Sequence, residues 1–310
     1  MQTAQQYKVA INCLVYNHEP YLRDCLEGFV MQQTDFPFVA IVHDDASTDH
    51  SADIIREYAA KYPDIIHPIY ETENQWRKAD GSLRKIMNAA VEATGAPYIA
   101  MCEGDDYWTD PHKLQKQVDF LDAHPEYTLC FHKVNNLILS TNTLECENTR
   151  DVLDTTSLKD LVVYGNYINT CSVVYRHIPE VDTKRKLLGS VCPGDYPLWV
   201  LVAEKGLIYK FQHSMAVYRV GSGIWSTEQN LVKLKLSEHA MRNRLRMVVD
   251  DPAIKGLIDE GCLYDANCIT GMYENMQQQL RSTRTSFSFR LGKMMLKPFL
   301  VFSSLFLKRE

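Results

Sequence analysis

The chain has 310 residues, 45% of them hydrophobic and 23% charged, with a formal net charge of −6. That is the composition of a globular protein of one large or two smaller domains, and it excludes disorder, a collagen-like rod and a coiled-coil rod as descriptions of the whole. It also excludes a basic domain that grips nucleic acid, so no nucleic-acid partner is expected. An anionic ligand must be held locally, by a metal, a helix N-terminus or a few placed cations. Nine cysteines, an odd number without a CxxC pair, indicate neither a disulfide framework nor a zinc ribbon. Reduced thiols predict a cytoplasmic location. The first ten residues lack the basic start and apolar run of a secretory signal.

Residues 9–16 are a mostly apolar run ending at Asn17-His18-Glu19-Pro20, the pattern of a strand buried on both faces. Pro20 suits the first turn of a helix that carries Leu22, Cys25, Leu26, Phe29 and Val30 at helical spacing. A second apolar run, 38–42, ends in His43-Asp44-Asp45. Ser47 or Thr48 is the expected cap of the next helix, whose face is Ile55, Tyr58, Ala59 and Tyr62. Residues 65–70 make a weaker third strand. Leu83, Ile86, Met87, Ala90 and Val91 line a helix that Gly95 stops. A fourth strand, 98–102, ends in Glu103-Gly104-Asp105-Asp106. Asp110-Pro111 then opens a helix, and a fifth strand follows at 128–132.

This alternation predicts an α/β fold: a mostly parallel sheet with helices on both faces and ligands bound beyond the carboxyl ends of the strands. Three of the five strands end in polar or acidic clusters that such a sheet brings together. After residue 136 the alternation breaks. Residues 140–155 read as a polar loop, 158–163 as a short helix and 167–175 as a strand. Pro193-Gly194-Asp195 opens a helix that stops at Gly206. Residues 207–220 read as a hairpin or two short strands, and the chain from 227 is charged and helical.

Two acidic clusters carry the chemistry. Helix capping does not require the Asp44-Asp45 pair, because one carboxylate satisfies a cap. A phosphatase of the haloacid dehalogenase type wants Asp-x-Asp-x-Thr, and the third position here is Ala46. Glu103, Asp105 and Asp106 repel one another unless a cation sits among them, and such hard oxygen donors suit a divalent ion. The plainer reading is a solvated acidic turn. An apolar strand on one side and Tyr107-Trp108 on the other argue against it.

Residues 9–21, the run His43-Asp44-Asp45-Ala46-Ser47-Thr48-Asp49 and residues 98–108 resemble the family 2 glycosyltransferases. The resemblance continues through Lys113-Leu114-Gln115-Lys116-Gln117 and Gly194-Asp195 to Tyr218-Arg219, covering about residues 7–226. It implies a GT-A fold, which is Rossmann-like, with a helical C-terminal extension. It implies a nucleoside-diphosphate sugar donor, Mg²⁺ or Mn²⁺, and inversion at the anomeric carbon. Leu14, Val15, Tyr16 and Asn17 match the turn that cradles the base. Asp45 matches the carboxylate that reads the base edge, with Asp44 beside it, which favours uracil and a UDP-sugar. Glu103 and Asp105 match the outer residues of an Asp-x-Asp motif. Asp105 is thus the first metal ligand and a nucleotide contact, and Asp106 supports the metal from behind. Asp195 matches the catalytic base; it also reads as a simple helix N-cap. Two positions depart from the pattern. Glu103 stands where the motif has Asp, and Gly221 stands where many relatives have a His that serves the metal or diphosphate.

The expected layout is a catalytic domain at 1–226, with a nucleotide-binding half of about 7–135 and an acceptor half of about 136–226, then a helical region at 227–310. The expected activity is transfer of a sugar from a UDP-sugar to a hydroxyl of a glycan or lipid-linked acceptor in surface polysaccharide synthesis. The alternative is a sugar-nucleotide-binding protein without turnover. A nucleotidyltransferase is disfavoured, because residues 7–22 contain no glycine for a phosphate loop. Trp108, His132 and Trp225 could stack on sugar rings, but each reads more readily as core or lid. The tail at 286–310 combines apolar anchors with five cations and one acid. It suits either peripheral contact with the inner face of an anionic membrane or packing on protein, and its apolar stretches are too short to span.

Overall fold

The structure is a computed structural model and describes residues 7–146, 152–188, 194–222, 231–249 and 251–286. At its centre β1 (Val9–Val15) runs parallel between β2 (Phe38–Asp44) and β4 (Tyr98–Met101), and β3 (Ile66–Tyr70) lies parallel beyond β2. All seven residues of β2 are buried, which is why its sequence reads as a continuous apolar run. Side chains alternate between two cores. Val9, Ile11, Cys13, Ala40 and Val42 meet α1 (Leu22–Val30), α2 (Ser51–Lys61) and α4 (Lys113–Ala123) on one face. Ala10, Val39, Ile41 and Met101 meet α3 (Ser82–Ala93) and the later helices on the other.

Beyond β4 the sheet becomes mixed. β9 (Val174–Arg176) is antiparallel to both β4 and β6 (Tyr127–Ile138), and β6 is parallel to β10 (Leu207–Val220). β5 (Tyr107–Trp108) and β8 (Thr155–Thr156) add antiparallel to β10, and β7 (Thr143–Cys146) adds to β6. The expected mostly parallel sheet holds for β1–β4 and again for β6 with β10, with antiparallel strands added beyond β4. Parallel pairing needs a crossover of a dozen residues or more, and the four residues between β6 and β7 permit only a hairpin.

Other expectations are corrected. The polar loop at 140–155 contains β7 and β8. The hairpin expected at 207–220 is the single strand β10; its exposed Gln212 and His213 form a bulge, not a turn. Of the strand expected at 167–175 only the end is strand, β9; irregular chain and a 3₁₀ turn, Thr170–Ser172, take the rest. Ser47 and Thr48 do not cap α2, whose N-cap is His50.

The second half adds α5 (Leu158–Tyr164), α6 (Pro179–Leu187) and α7 (Asp195–Ala203), then α8 (Leu231–Val248) and α9 (Pro252–Thr285). Pro252 opens α9 and the Asp251 carboxylate accepts the Ala253 N–H, a capped start. Ile258 and Gly261 of α9 are buried against the body of the protein, whereas from residue 266 onward none of its residues is buried. The expected tail at 286–310 lies, beyond Ser286, outside the described residues, as does Trp225. Among the described residues no helix is long and apolar enough to cross a membrane.

α9 approaches α5 so closely that a Cβ on Gly261 would lie 2.1 Å from the Val162 carbonyl oxygen. Backbone cannot move aside as a flexible side chain does. Gly261→Ala is expected to destabilise the fold by about 1–3 kcal/mol through overpacking. Thermal melting checks this: a melting temperature equal to wild type would mean that the two helices slide apart freely.

Candidate active site

The carboxyl ends of β1 and β2 are tied to each other by polar contacts between their following turns. Asn17 holds a left-handed backbone (φ 55°), a conformation asparagine tolerates. Its N–H donates to Ser47 Oγ at 2.9 Å, and its Oδ1 accepts the Thr48 N–H at 2.7 Å. The His18 N–H donates to Ser51 Oγ, and the Glu19 N–H donates to Asp49 Oδ2. This reciprocal lacing is what Ser47 and Thr48 do in place of capping. The Asp45 N–H donates to the Val15 carbonyl at 2.9 Å, and the Gly104 N–H to the Leu14 carbonyl at 2.9 Å. Leu14, Val15, Tyr16, Asn17, Asp44 and Asp45 therefore share one edge with the acidic turn after β4.

Both carboxylate oxygens of Asp45 are engaged. Oδ1 accepts the Gln75 N–H at 2.6 Å and Oδ2 the Trp76 N–H at 3.0 Å, so this buried carboxylate holds the segment after β3. Each oxygen keeps a further lone pair. Arg77 from the same segment donates to the Tyr16 hydroxyl at 3.1 Å. Asp44 accepts the Ser47 N–H through Oδ2 at 3.3 Å, while its buried Oδ1 has no hydrogen-bond partner.

The acidic turn sits under these. A Cβ on Gly104 would lie 2.8 Å from His18 Nδ1 and 2.9 Å from Val15 Cγ2, so β1 can approach only a glycine there. Asp106 is turned inward: it is 1% exposed, and its Oδ1 accepts the Arg219 N–H at 2.8 Å. Burial, then the Asp105 charge, push its carboxyl well above the usual range. The Arg219 guanidinium donates to the Asp105 carbonyl at 2.6 Å, pairs with Asp24, and lies over the rings of Tyr107 and Tyr21. Glu103 keeps contact with solvent but stands within the protein's cleft. That enclosure, then the charges of Asp105 and Asp195, push it up to about 8.

Asp195 comes to the same cleft from the far half of the chain. It is the first residue of α7 with Gly194 at the cap position, so the N-cap reading does not hold. Its Oδ2 accepts from Asn166 Nδ2 at 3.0 Å and from Thr170 Oγ1 at 3.4 Å, and its Oδ1 accepts the Tyr196 N–H at 2.8 Å. Burial raises its pKa against these hydrogen bonds. The sequence assigned no role to Asn166; its signal was Gly165, which ends α5 at φ 88° and turns the next residue toward the cleft. Thr170 was read as part of a strand. Arg219 was noticed only as part of the motif run.

Two candidates for sugar stacking are excluded. Trp108 is 2% exposed with its Nε1 donating to the Cys171 carbonyl, and His132 is 1% exposed. Among the described residues no three His, Cys, Asp or Glu side chains are already gathered around one cation position. The donors nearest to that arrangement are Asp105 and Glu103, since Asp106 is committed to Arg219.

A family model described as glycosyl transferase family 2 matches residues 13–176, more than half of the chain. The chain belongs to glycosyl transferase family 2. An uncharacterized protein of Mycobacterium tuberculosis is 41% identical over 218 residues, covering 70% of this chain and 60% of its own length. The chain thus spans about three fifths of that relative. A putative teichuronic acid biosynthesis glycosyltransferase of Bacillus subtilis, TuaG, is 32% identical over 66% of this chain and 76% of its own. Among solved structures, the mannosyltransferase PcManGT from Pyrobaculum calidifontis, in complex with GDP-Man and Mn²⁺, superposes with a TM-score of 0.57 at 15% identity, covering 98% of this chain and 88% of its own. TarS from S. aureus in complex with UDP-GlcNAc superposes with a TM-score of 0.56 at 17% identity over 82% and 71%. The family 2 chain has the GT-A fold that these proteins share.

Two outcomes follow from the geometry. Asp45→Asn puts an NH₂ group where a carboxylate accepts amide N–H groups, and is expected to lose about 1.5–3 kcal/mol of local stability. Faster amide exchange at residues 74–76 would show it; unchanged exchange would mean that the carboxylate is dispensable there. Glu103 ionises less readily when folded, so its contribution to stability falls as pH rises from its ordinary value near 4.5 toward about 8. Glu103→Gln removes that loss. The melting temperature of the variant relative to wild type, both without divalent metal, is expected to rise steadily between pH 5 and pH 8; a difference flat with pH would remove the repulsion from the account.

Proposed function

We propose that this family 2 protein transfers a sugar, with inversion, from a UDP-sugar to a hydroxyl of a glycan or lipid-linked acceptor in surface polysaccharide synthesis. The observation that supports the reading is that Asp195 stands near enough to Glu103, in the acidic turn with Asp105, for its charge to raise that carboxyl, beside the laced turns at Asn17 and Asp45. Asp195 takes the proton of the acceptor hydroxyl as its oxygen bonds to the anomeric carbon, and the bond from that carbon to the diphosphate oxygen breaks. A base near the operating pH is the efficient one, and the burial that raises Asp195 moves it that way. Leu14, Val15, Tyr16, Asn17, Asp44 and Asp45 line the edge that takes the nucleotide. Asp105 and Glu103 would hold Mg²⁺ or Mn²⁺, with Asp106 behind them; when bound, the ion supplies positive charge to the diphosphate leaving group. Two carboxylates suit an ion that keeps most of its remaining positions for phosphate and water. Gly221, where many relatives have a His, has φ 108°, a backbone that disfavours any side chain.

The names of relatives support the acceptor class. TuaG is named for teichuronic acid biosynthesis, and a further relative is named a poly(ribitol-phosphate) beta-glucosyltransferase. The decisive screen is thermal shift with UDP-glucose, UDP-galactose, UDP-GlcNAc and GDP-mannose in the presence of Mn²⁺. A UDP-sugar is expected to give the largest shift, and a larger one for GDP-mannose would overturn the base assignment. Asp195→Asn is expected to lower kcat by about 10²-fold or more with donor binding kept, and excess EDTA to abolish turnover in wild type. Normal turnover by Asp195→Asn, or full activity in EDTA, would sink the corresponding role. Binding of donor with no turnover by wild type would instead favour a binding protein.

A further inference from the structure

The groups that hold Asp195 belong to a larger buried assembly contributed by the C-terminal helices. Tyr196, fully buried, donates its hydroxyl to the Leu161 carbonyl of α5 at 2.6 Å and accepts from Arg242 Nε of α8 at 3.2 Å. Arg242 is fully buried as well. It lies over the Tyr196 ring, donates to the Gly261 carbonyl of α9 at 3.2 Å, and is paired with the fully buried Asp265 of α9. Lys235 pairs with Glu238 at 2.6 Å and stands 3.8 Å from Asp265. Glu238 in turn abuts Gly165, where a Cβ would lie 3.2 Å from its carboxylate. Gly165 precedes Asn166, the donor to Asp195. Two routes therefore run from the α8–α9 assembly to the Asp195 carboxylate: one through Tyr196, whose N–H it accepts, and one through the 165–166 turn.

We infer that the buried Arg242–Asp265 pair is a positioning device for Asp195, fixing through Tyr196 and the 165–166 turn the direction in which the carboxylate faces the cleft. The inference rests on the reading of Asp195 as the base. Stability alone does not account for the pair, since apolar residues of similar volume in place of a buried ion pair are often neutral or stabilising. Apolar residues have no directional contact with a tyrosine hydroxyl, whereas the guanidinium fork holds Tyr196, Gly261 and Asp265 in one arrangement. Direction matters at a general base: a misplacement of about 1 Å can lower rate by about 10²-fold.

Three variants test this. Tyr196→Phe keeps the ring and removes both hydroxyl contacts. Arg242→Met/Asp265→Leu removes both charges together and keeps the volume. Asp195→Asn is the reference. The readouts are nucleotide release with water as acceptor, from whichever of the four nucleotide sugars above gives the largest shift, donor affinity by calorimetry, and amide exchange over residues 194–203. Expected for the first two variants are a kcat lowered about tenfold or more, donor affinity within about twofold of wild type, and faster exchange in the first turn of α7. A role in packing alone would lower the melting temperature and leave kcat of the folded enzyme unchanged. Wild-type kcat and exchange in both variants, with Asp195→Asn inactive, would overturn the positioning role and leave the proposed function standing. Wild-type turnover by Asp195→Asn would instead overturn the proposed function. Should the double variant fail to fold, Tyr196→Phe decides alone. Should no donor shift the protein, the exchange measurement decides.

Discussion

Carboxylates crowd the carboxyl edge of this sheet, and their mutual repulsion is what the neighbouring groups answer to. Glu103, Asp105 and Asp106 share one turn, and Asp195 is near enough to raise Glu103 further. Arg219 meets part of the repulsion. Its N–H goes to Asp106, its guanidinium goes to the Asp105 carbonyl and to Asp24, and two tyrosine rings flank it. Those contacts hold the cation at Asp24, the Asp105 backbone and the two rings. Arg219 makes no ion pair with the carboxylate of Glu103 or of Asp105. A site in that condition favours whatever brings positive charge. The raised Glu103 and the proposal of Asp105 and Glu103 as metal donors thus rest on the same imbalance.

Such an imbalance is useful only on a backbone that does not yield. The edge is stiffened by contacts that leave little room. Gly104 is pinned between His18 and Val15, and its N–H is held by β1. The turns after β1 and β2 exchange five side-chain-to-backbone hydrogen bonds, through Ser47, Asn17, Ser51, Asp49 and Glu19. Each contributes about 0.5–1.5 kcal/mol. Together they make two turns that are distant in sequence move as one. Asp45 extends the same unit to residues 75 and 76. A nucleotide bound at this edge meets a surface organised before it arrives, which lowers the entropy lost on binding.

How much of this was legible in the sequence depended on range. β1, β2 and β4 are buried on both faces, so their apolar runs stood out. The acidic and polar residues that end them had to gather at one edge of a parallel sheet. That reasoning found Asn17, Asp44, Asp45 and Glu103 to Asp106 without any knowledge of contacts. It failed where a local pattern has two tertiary solutions. Ser47 and Thr48 have the chemistry of helix caps, and Asn17 took them instead. Gln212 and His213 look like a turn but are a bulge, because β10 pairs with β6 on both sides of them. Trp108 and His132 have the chemistry of sugar platforms as well as of core residues, and the core took both, as the sequence favoured. Asn166 reaches Asp195 across 29 positions of sequence, and no periodicity reports a contact of that kind.

The two halves of the cleft are therefore built in different ways. The nucleotide edge is assembled from successive β-α units, with its ties drawn among residues 12 to 106, and Arg219 is the exception that closes it from below. The edge at Asp195, the proposed base, is tertiary throughout. Asp195 depends on Asn166, Thr170 and Tyr196, and those on α5, α8 and α9, which are separated from one another along the chain. A change in the C-terminal helices reaches the carboxylate through Tyr196 and Gly165, with no contact to the turns at Asn17 or Asp45 on the way. On the proposed roles, donor binding and proton removal are tuned separately within a single fold. That separation is what a glycosyltransferase framework needs if it is to keep one kind of donor while its acceptor side varies.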